Sequence, residues 1–425
     1  MTAFLDAAAQ IGRAICRSAY WDRDQVCCNW VGHSPLESPP AGGPLIPTVA
    51  ALGPELYGGT SGVALFLAQL FARTGNPEFR RTALGAVTRA LRQLDRLQWD
   101  APQVPTLSFH SGHLGVAYVT HRVAMLTGEE RLTDSIGPLL EQIAGARDKP
   151  HALDLMGGNA GAIPALLALD QAAAWRGCRD LAVALGEDLC RTATHRGDAV
   201  AWSPEEANGP GAGSIPLTGL GHGAAGIGLA LLELYGATSR PEFLEVGRLA
   251  FAYEDSVFNE ELGNWPDFRP HPGEPDGSGP LPHALAWCHG APGIALSRLR
   301  AMSLDVAYRE PLLAVARAGL RTTLGAIEQR GELRRQDATL CHGLAGLNEI
   351  LWTAGTLLAE EPYQTLARST ALSMIECHGG VGDWPTGVAS RGPNPSLMLG
   401  TAGIGYHFLR LDSPEHVRPI LALTT

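Results

Sequence analysis

Two short stretches bring thiol and imidazole side chains together. "WCHGAPGIAL" spans 287–296 and "LCHGLAGLNEIL" spans 340–351. Each sets Cys-His just ahead of a glycine-framed turn and an apolar run. Cys288, His289, Cys341 and His342 are the donor types that zinc takes, at about 2.0–2.3 Å in a tetrahedron. Both thiols precede the start of a helix, whose positive end favours thiolate. With all four residues on a metal the site would be closed and structural. With three, a fourth position would stay open for chemistry. The residues alone leave both versions standing, beside a plainer one in which the thiols are inert and buried.

These stretches belong to a larger pattern. A Gly-x-x-Gly frame followed by an apolar run at helical period occurs seven times, with its first glycine at 59, 112, 158, 223, 290, 343 and 400. The intervals, about 45 to 70 residues, are those of helical-hairpin repeats. Cys288 and Cys341 hold equivalent places in the fifth and sixth copies and should face each other across one gap between helices. His222 stands immediately before the fourth frame, next in order, and is a candidate proton carrier. Asp154 precedes the third, where it either orients His222 or caps a helix. "NWPDFRP" (264–270) puts Asp267 and Arg269 in a turn ahead of the fifth frame, where they can shape a site or bind a ligand. His110 and His113 in the second copy receive no role. A further Cys-His-Gly in "ECHGGVGDWPTG" (376–387) is followed by no apolar helix. Gly379 there reads as a helix C-cap, and Cys377 and His378 as structural or surface residues.

Elements that could position these residues follow from periodicity. The framed segments are apolar nearly all round and read as buried helices. Between them lie charged segments such as "EFRRTALGAVTRALRQLDRL", whose apolar positions recur at three and four and predict helices with one wet face. With the N-terminal helix there are seven of each. The expected fold is all-α, an α/α toroid of seven inner and seven outer helices, forming one domain over 1–425. The glycines let backbones approach closely and leave the first N–H groups of each inner helix free. Packing alone would explain the frames but not the residues in front of them.

Composition sets limits. Of 425 residues 45% are hydrophobic and 18% charged, which describes a globular chain with a generous interior. A net charge of −11 argues against general nucleic-acid binding. Lys149 is the sole lysine, a bias that a GC-rich coding sequence accounts for. The first residues form an amphipathic helix rather than a secretory signal, and no apolar stretch suits stable membrane insertion. The eight cysteines are scattered, which speaks for reduced thiols and a cytoplasmic location rather than a disulfide framework.

At "WCHGAPGI", "LCHGLAG" and "GLGHGAAGIG" the chain resembles the lanthionine synthetase C-like cyclases, α/α toroids with a central zinc. The resemblance runs from "LGPELYGGTSGVALFLAQLF" to "SLMLGTAGIGYHFLRL". "NWPDFR" and the histidine after each cysteine are closest to the cyclase domain of bifunctional lanthipeptide synthetases, yet no dehydratase region is present. The expectation is either a stand-alone member, which the initial Met favours, or an excised domain. The resemblance implies Zn2+ on Cys288, Cys341 and His342, His222 as acid/base, and Asp154 as a second polar group. His289 would lie near the metal but off it, and Trp287, His289 and Arg269 would contact substrate. Some family members carry an arginine four residues before the first zinc cysteine. Here that position is Ala284, so the arginine's task either passes to another residue, with Arg269 the candidate, or is not done.

The implied reaction is Michael addition of a peptide cysteine to dehydroalanine or dehydrobutyrine in a precursor peptide with a leader segment, dehydrated by a separate dehydratase or kinase/lyase. A polar axial cavity is expected to admit that peptide. Three rival readings remain. One is addition of an external thiol such as glutathione to dehydrated residues. Another is a zinc prenyltransferase toroid, disfavoured by only 6% aromatics. The last is a non-catalytic, zinc-stabilised peptide-binding toroid.

Overall fold

The computed structural model describes residues 2–37, 46–95, 106–173, 175–203, 215–269, 279–329, 336–379, 384–387 and 394–423. In chain order the helices are α1 (Ala3–Arg17), α2 (Thr60–Thr74), α3 (Pro77–Leu94), α4 (His113–Thr127) and α5 (Ile136–Gly145). They continue with α6 (Asn159–Gln171), α7 (Cys178–Thr192), α8 (Ala224–Thr238), α9 (Pro241–Ser256) and α10 (Ala291–Leu304). The last are α11 (Arg309–Glu328), α12 (Leu344–Leu358), α13 (Glu361–His378) and α14 (Thr401–Asp412). The even-numbered helices are inner and the odd-numbered outer. In α8 every residue from Ala224 to Leu234 is buried. In α3 the buried residues, among them Phe79, Ala83, Ala86 and Ala90, recur at three and four along one face. The sequence also forms three short antiparallel hairpins that helical periodicity did not anticipate: β1 (Tyr20–Trp21) with β2 (Cys28–Asn29), β3 (Val31–Glu37) with β4 (Ile46–Ala51), and β5 (Thr194–Arg196) with β6 (Ala199–Ala201).

The inner helices neighbour one another in order, and α14 returns to α2. Each inner helix packs on the outer helix that follows it; α14, with none to follow, packs on α1. The second glycine of every frame has one job. A Cβ there would lie between 1.8 and 2.2 Å from the carbonyl oxygen six residues earlier, so only glycine lets each turn fold back onto its helix.

A collar of hydrogen bonds joins the seven turns. The residue two before each first frame glycine donates its N–H to the carbonyl of the equivalent residue in the next turn. Tyr57 donates to His110 (2.9 Å), Met156 to Gly221 (3.1 Å), Gly221 to Cys288 (2.8 Å), Cys341 to Met398 (3.0 Å), and Met398 closes the ring on Tyr57 (3.0 Å). Two steps differ. The Ser108 and Ser111 hydroxyls reach the Met156 carbonyl, at 2.6 and 3.0 Å. At the fifth turn Trp287, not Cys288, donates to Cys341, at 2.9 Å. Gly290 is also the one first frame glycine with positive φ, +78°.

After α14 the chain turns back into the ring. Val417, Ile420 and Leu421 are buried, and residues 420–423 line a small pocket with Phe109, His110, Leu155 and residues of α6 and α8.

Candidate metal centre

Cys288 and Cys341 end the turns that lead into α10 and α12, and His342 follows Cys341. One donor atom from each of the three lies within 4.8 Å of the other two. Both thiols are buried and His342 is exposed. Hydrogen bonding from Cys341, and then His342, outweighs burial and holds the Cys288 thiol well below its ordinary range. Two soft sulfur donors and one imidazole, buried on one side and open on the other, fit a zinc ion.

His289 does not join this cluster. Its ring is buried and stacks on His222, centroids 5.4 Å apart and planes 24° from parallel. Burial pushes its pKa down to about 4.

His222 and Asp154 meet across two neighbouring turns. His222 Nδ1 lies 2.7 Å from Asp154 Oδ2. The other carboxylate oxygen, Oδ1, accepts from the Gly157 N–H at 2.6 Å. Of the alternatives left open for Asp154, the structure shows the first: one oxygen orients the imidazole, and the other fastens its own turn without capping a helix, since α6 starts from Gly158 with no side-chain cap. Burial lowers the His222 pKa, but the hydrogen bond and charge of Asp154, helped by Cys288, outweigh it and raise the value.

Arg269 is exposed but pinned. Its guanidinium grips the buried carboxylate of Asp267, Nε to Oδ1 at 3.0 Å and Nη2 to Oδ2 at 2.6 Å. Burial and the hydrogen bond to Asp267 dominate its electrostatics, and the charges of Cys288 and Cys341 reach it as well. An arginine therefore lies within electrostatic reach of the two thiols, although Ala284 stands four residues before Cys288. Pro270, the end of that turn, lies outside the described residues, as do 380–383 of the third Cys-His-Gly segment. The placement of Trp287 departs from expectation. It is fully buried, with its indole N–H committed to the Leu421 carbonyl at 2.9 Å, and offers a substrate no surface.

Three residues escaped the sequence reading. Burial first, and then the two thiols and Asp337, push the Tyr57 phenol upward, which places this first-turn residue beside the sulfurs. Asn264 Oδ1 accepts from Ala291 N–H at 2.7 Å and fastens the start of α10. Glu254, on outer helix α9, accepts from Gly219 N–H (3.0 Å) and Ala225 N–H (2.8 Å) and so secures the turn that carries His222. Asn264 sits inside the "NWPDFR" motif and was open to detection there. Glu254 lies in an ordinary amphipathic helix and carried no signal.

A family model described as "Lanthionine synthetase C-like protein" matches residues 50–422. Among solved structures, the chain is similar to nisin cyclase, with a TM-score of 0.61 and 18% identity over 85% of this chain and 89% of that one. It is also similar to the Lin0763 protein from Listeria innocua, with a TM-score of 0.50 and 12% identity over 97% of both chains. At these identities the structural likenesses establish the helical toroid.

Proposed function

The chain belongs to the lanthionine synthetase C-like family, and from that premise we propose that it is a zinc-dependent lanthipeptide cyclase forming thioether rings in a dehydrated precursor peptide. The observation that carries this reading is the His222–Asp154 pair, 2.7 Å apart, beside the three-donor cluster of Cys288, Cys341 and His342. Zinc held by those three residues would supply the Lewis acidity that keeps a substrate thiol, ordinarily near a pKa of about 8.5, ionised at neutral pH.

The remaining steps are assigned to side chains of this protein. Asp154 fixes the Nδ1 proton of His222, which leaves Nε2 as the basic nitrogen. His222 Nε2 takes the proton of the peptide thiol. The sulfur then bonds to Cβ of the dehydrated residue and the double-bond electrons move toward the carbonyl. His222 returns its proton to Cα, so the addition balances with no other reactant. General acid–base transfer of this kind contributes a rate factor of about 10²–10⁴. The Arg269 guanidinium, held rigid by Asp267, is the cation available to the growing enolate charge. Dehydration of the leader-bearing peptide falls to a separate dehydratase or kinase/lyase. Eight free cysteines support a cytoplasmic setting, and no helix among the described residues is long and apolar enough to cross a membrane. The α1–α14 contact that closes the ring supports one domain over 1–425.

Metal analysis and a cyclisation assay test the proposal. Cys288→Ala and Cys341→Ala are each expected to lose stoichiometric zinc. His222→Ala is expected to keep zinc while free thiols persist in a dehydrated peptide, read by alkylation and mass spectrometry. Zinc retained in both cysteine variants would overturn the metal assignment, and unchanged ring closure would remove His222. Glutathione added to the assay and recovered as a peptide adduct in place of rings would favour the external-thiol reading.

A further inference from the structure

We infer that the seventh repeat and its C-terminal segment position the metal centre, with Trp287 as the positioning residue through which they set Cys288. The inference rests on the reading of Cys288, Cys341 and His342 as metal ligands.

The fifth turn departs from the others in two ways. Its step in the collar, one of the two that differ, is shifted by one residue, so Trp287 rather than Cys288 donates to the Cys341 carbonyl. Gly290 takes a positive φ of +78°, where the other first frame glycines have negative φ. Trp287 fills the place three before the frame glycine, which is leucine in five of the other turns and Phe109 in the second. Of the side chains in that position, the indole is the one that carries a hydrogen-bond donor. It donates to the Leu421 carbonyl at 2.9 Å, across 134 residues of sequence, in a fully buried setting. Its ring also lies edge-on to His110, centroids 5.2 Å apart.

The acceptor is itself tied down. Tyr406 on α14 donates its hydroxyl to the Arg418 carbonyl at 2.8 Å. Arg410, one turn further along the same helix, donates to the Pro414 and Val417 carbonyls. The path therefore runs from α14 through the C-terminal segment to Trp287, and from there to the adjacent Cys288. The other cysteine hangs on the same repeat, since Cys341 N–H donates to the Met398 carbonyl at 3.0 Å, two residues before the frame of α14. A distance between two thiols is set by what holds their backbones. Here both backbones are referred to α14, one directly and one through an indole. Groups that orient metal ligands from behind typically alter metal affinity by about 10–100-fold.

The test is zinc affinity in the full chain, by competition with a chromophoric chelator, together with the absorption spectrum of the cobalt-substituted protein. Trp287→Phe keeps an aromatic ring and deletes the donor. It is expected to bind zinc about 10-fold or more weakly and to change the cobalt spectrum. Trp287→Leu installs the residue used by five other turns and serves if the phenylalanine variant fails to fold; the same loss is expected. Tyr406→Phe, far from the ligands, is expected to weaken zinc binding less, and to add nothing in the Trp287→Phe background because the link is already cut. Wild-type affinity and spectrum in Trp287→Phe or Trp287→Leu, or an undiminished Tyr406→Phe effect in the double variant, would overturn the inference while leaving the metal assignment intact. A wild-type chain that binds neither zinc nor cobalt would overturn both.

Discussion

His222 shows how two opposed forces on one ring are decided by a partner. Burial disfavours the imidazolium, yet the pKa rises because Asp154 Oδ2 is 2.7 Å away and charged. Replacing that carboxylate with a neutral amide leaves burial unopposed. In Asp154→Asn the limb of the pH–rate profile that reports His222 should therefore move to lower pH. The amide keeps an oxygen for the Gly157 N–H, so the turn should survive. A limb that stays in place would separate Asp154 from the chemistry. His289, its stacking neighbour, is driven the other way, down to about 4, because burial prevails there. Two stacked histidines are thus driven in opposite directions, His222 upward by the Asp154 carboxylate and His289 downward by burial.

At the scale of elements, the inner helices begin in turns that outer helices and loops hold in place. Glu254 reaches from α9 to the turn before α8 and satisfies two N–H groups. Its remaining carboxylate oxygen is buried without a partner. Burial pushes its pKa up to about 8 from the ordinary 4.5. The folded state therefore holds a proton that the unfolded state has released between those values. Stability from this group is full below 4.5 and is lost as pH rises toward about 8. Glu254→Gln should abolish that loss, so its stability relative to wild type should climb across the interval in denaturant melts. Glu254→Ala leaves two buried N–H groups without an acceptor and should cost about 2–4 kcal/mol at low pH, a cost that shrinks as pH rises across the same interval. A wild-type chain whose stability is flat across that interval would mean that Glu254 is ionised throughout.

The whole molecule is a ring, and a ring needs closure. The family model begins at residue 50, so α1 lies outside the matched segment, yet it is the outer partner of α14. Phe4 of α1 stacks on Phe408 of α14 at 6.4 Å, and Arg368 of α13 lies over the same ring at 5.1 Å. Thr2, just before α1, bonds Asp412 at the end of α14. Phe4→Ala should cost about 3–5 kcal/mol and lower Tm measurably. Because α14 carries the segment that holds Trp287, loosening this seam should also weaken zinc binding. A Tm within a degree of wild type would show that the seam contributes little.

What the sequence by itself determined is what repeats or is chemically unusual. Seven glycine frames at regular spacing disclosed the two rings, because close approach of a turn to its helix excludes every other residue. The pairing of Cys288 with Cys341 was legible because equivalent positions in consecutive repeats must become neighbours in a closed array, whereas the choice of His342 over His289 came only as an implication of the family resemblance. The order of the frames likewise put His222 beside Asp154. The tertiary structure alone decided what depends on long-range contact. Trp287 looked like a surface for substrate because it adjoins a cysteine; its indole instead serves a carbonyl 134 residues away. The course of the chain after α14 was not legible, because helical periodicity says nothing about where a C-terminal segment goes. Glu254 and Tyr57 carried no local signal, since each acts on residues distant along the chain, Glu254 on the turn before α8 and Tyr57 on the thiols. Periodicity is a property of neighbours along the chain, whereas the supports of a metal centre are chosen by the space around it.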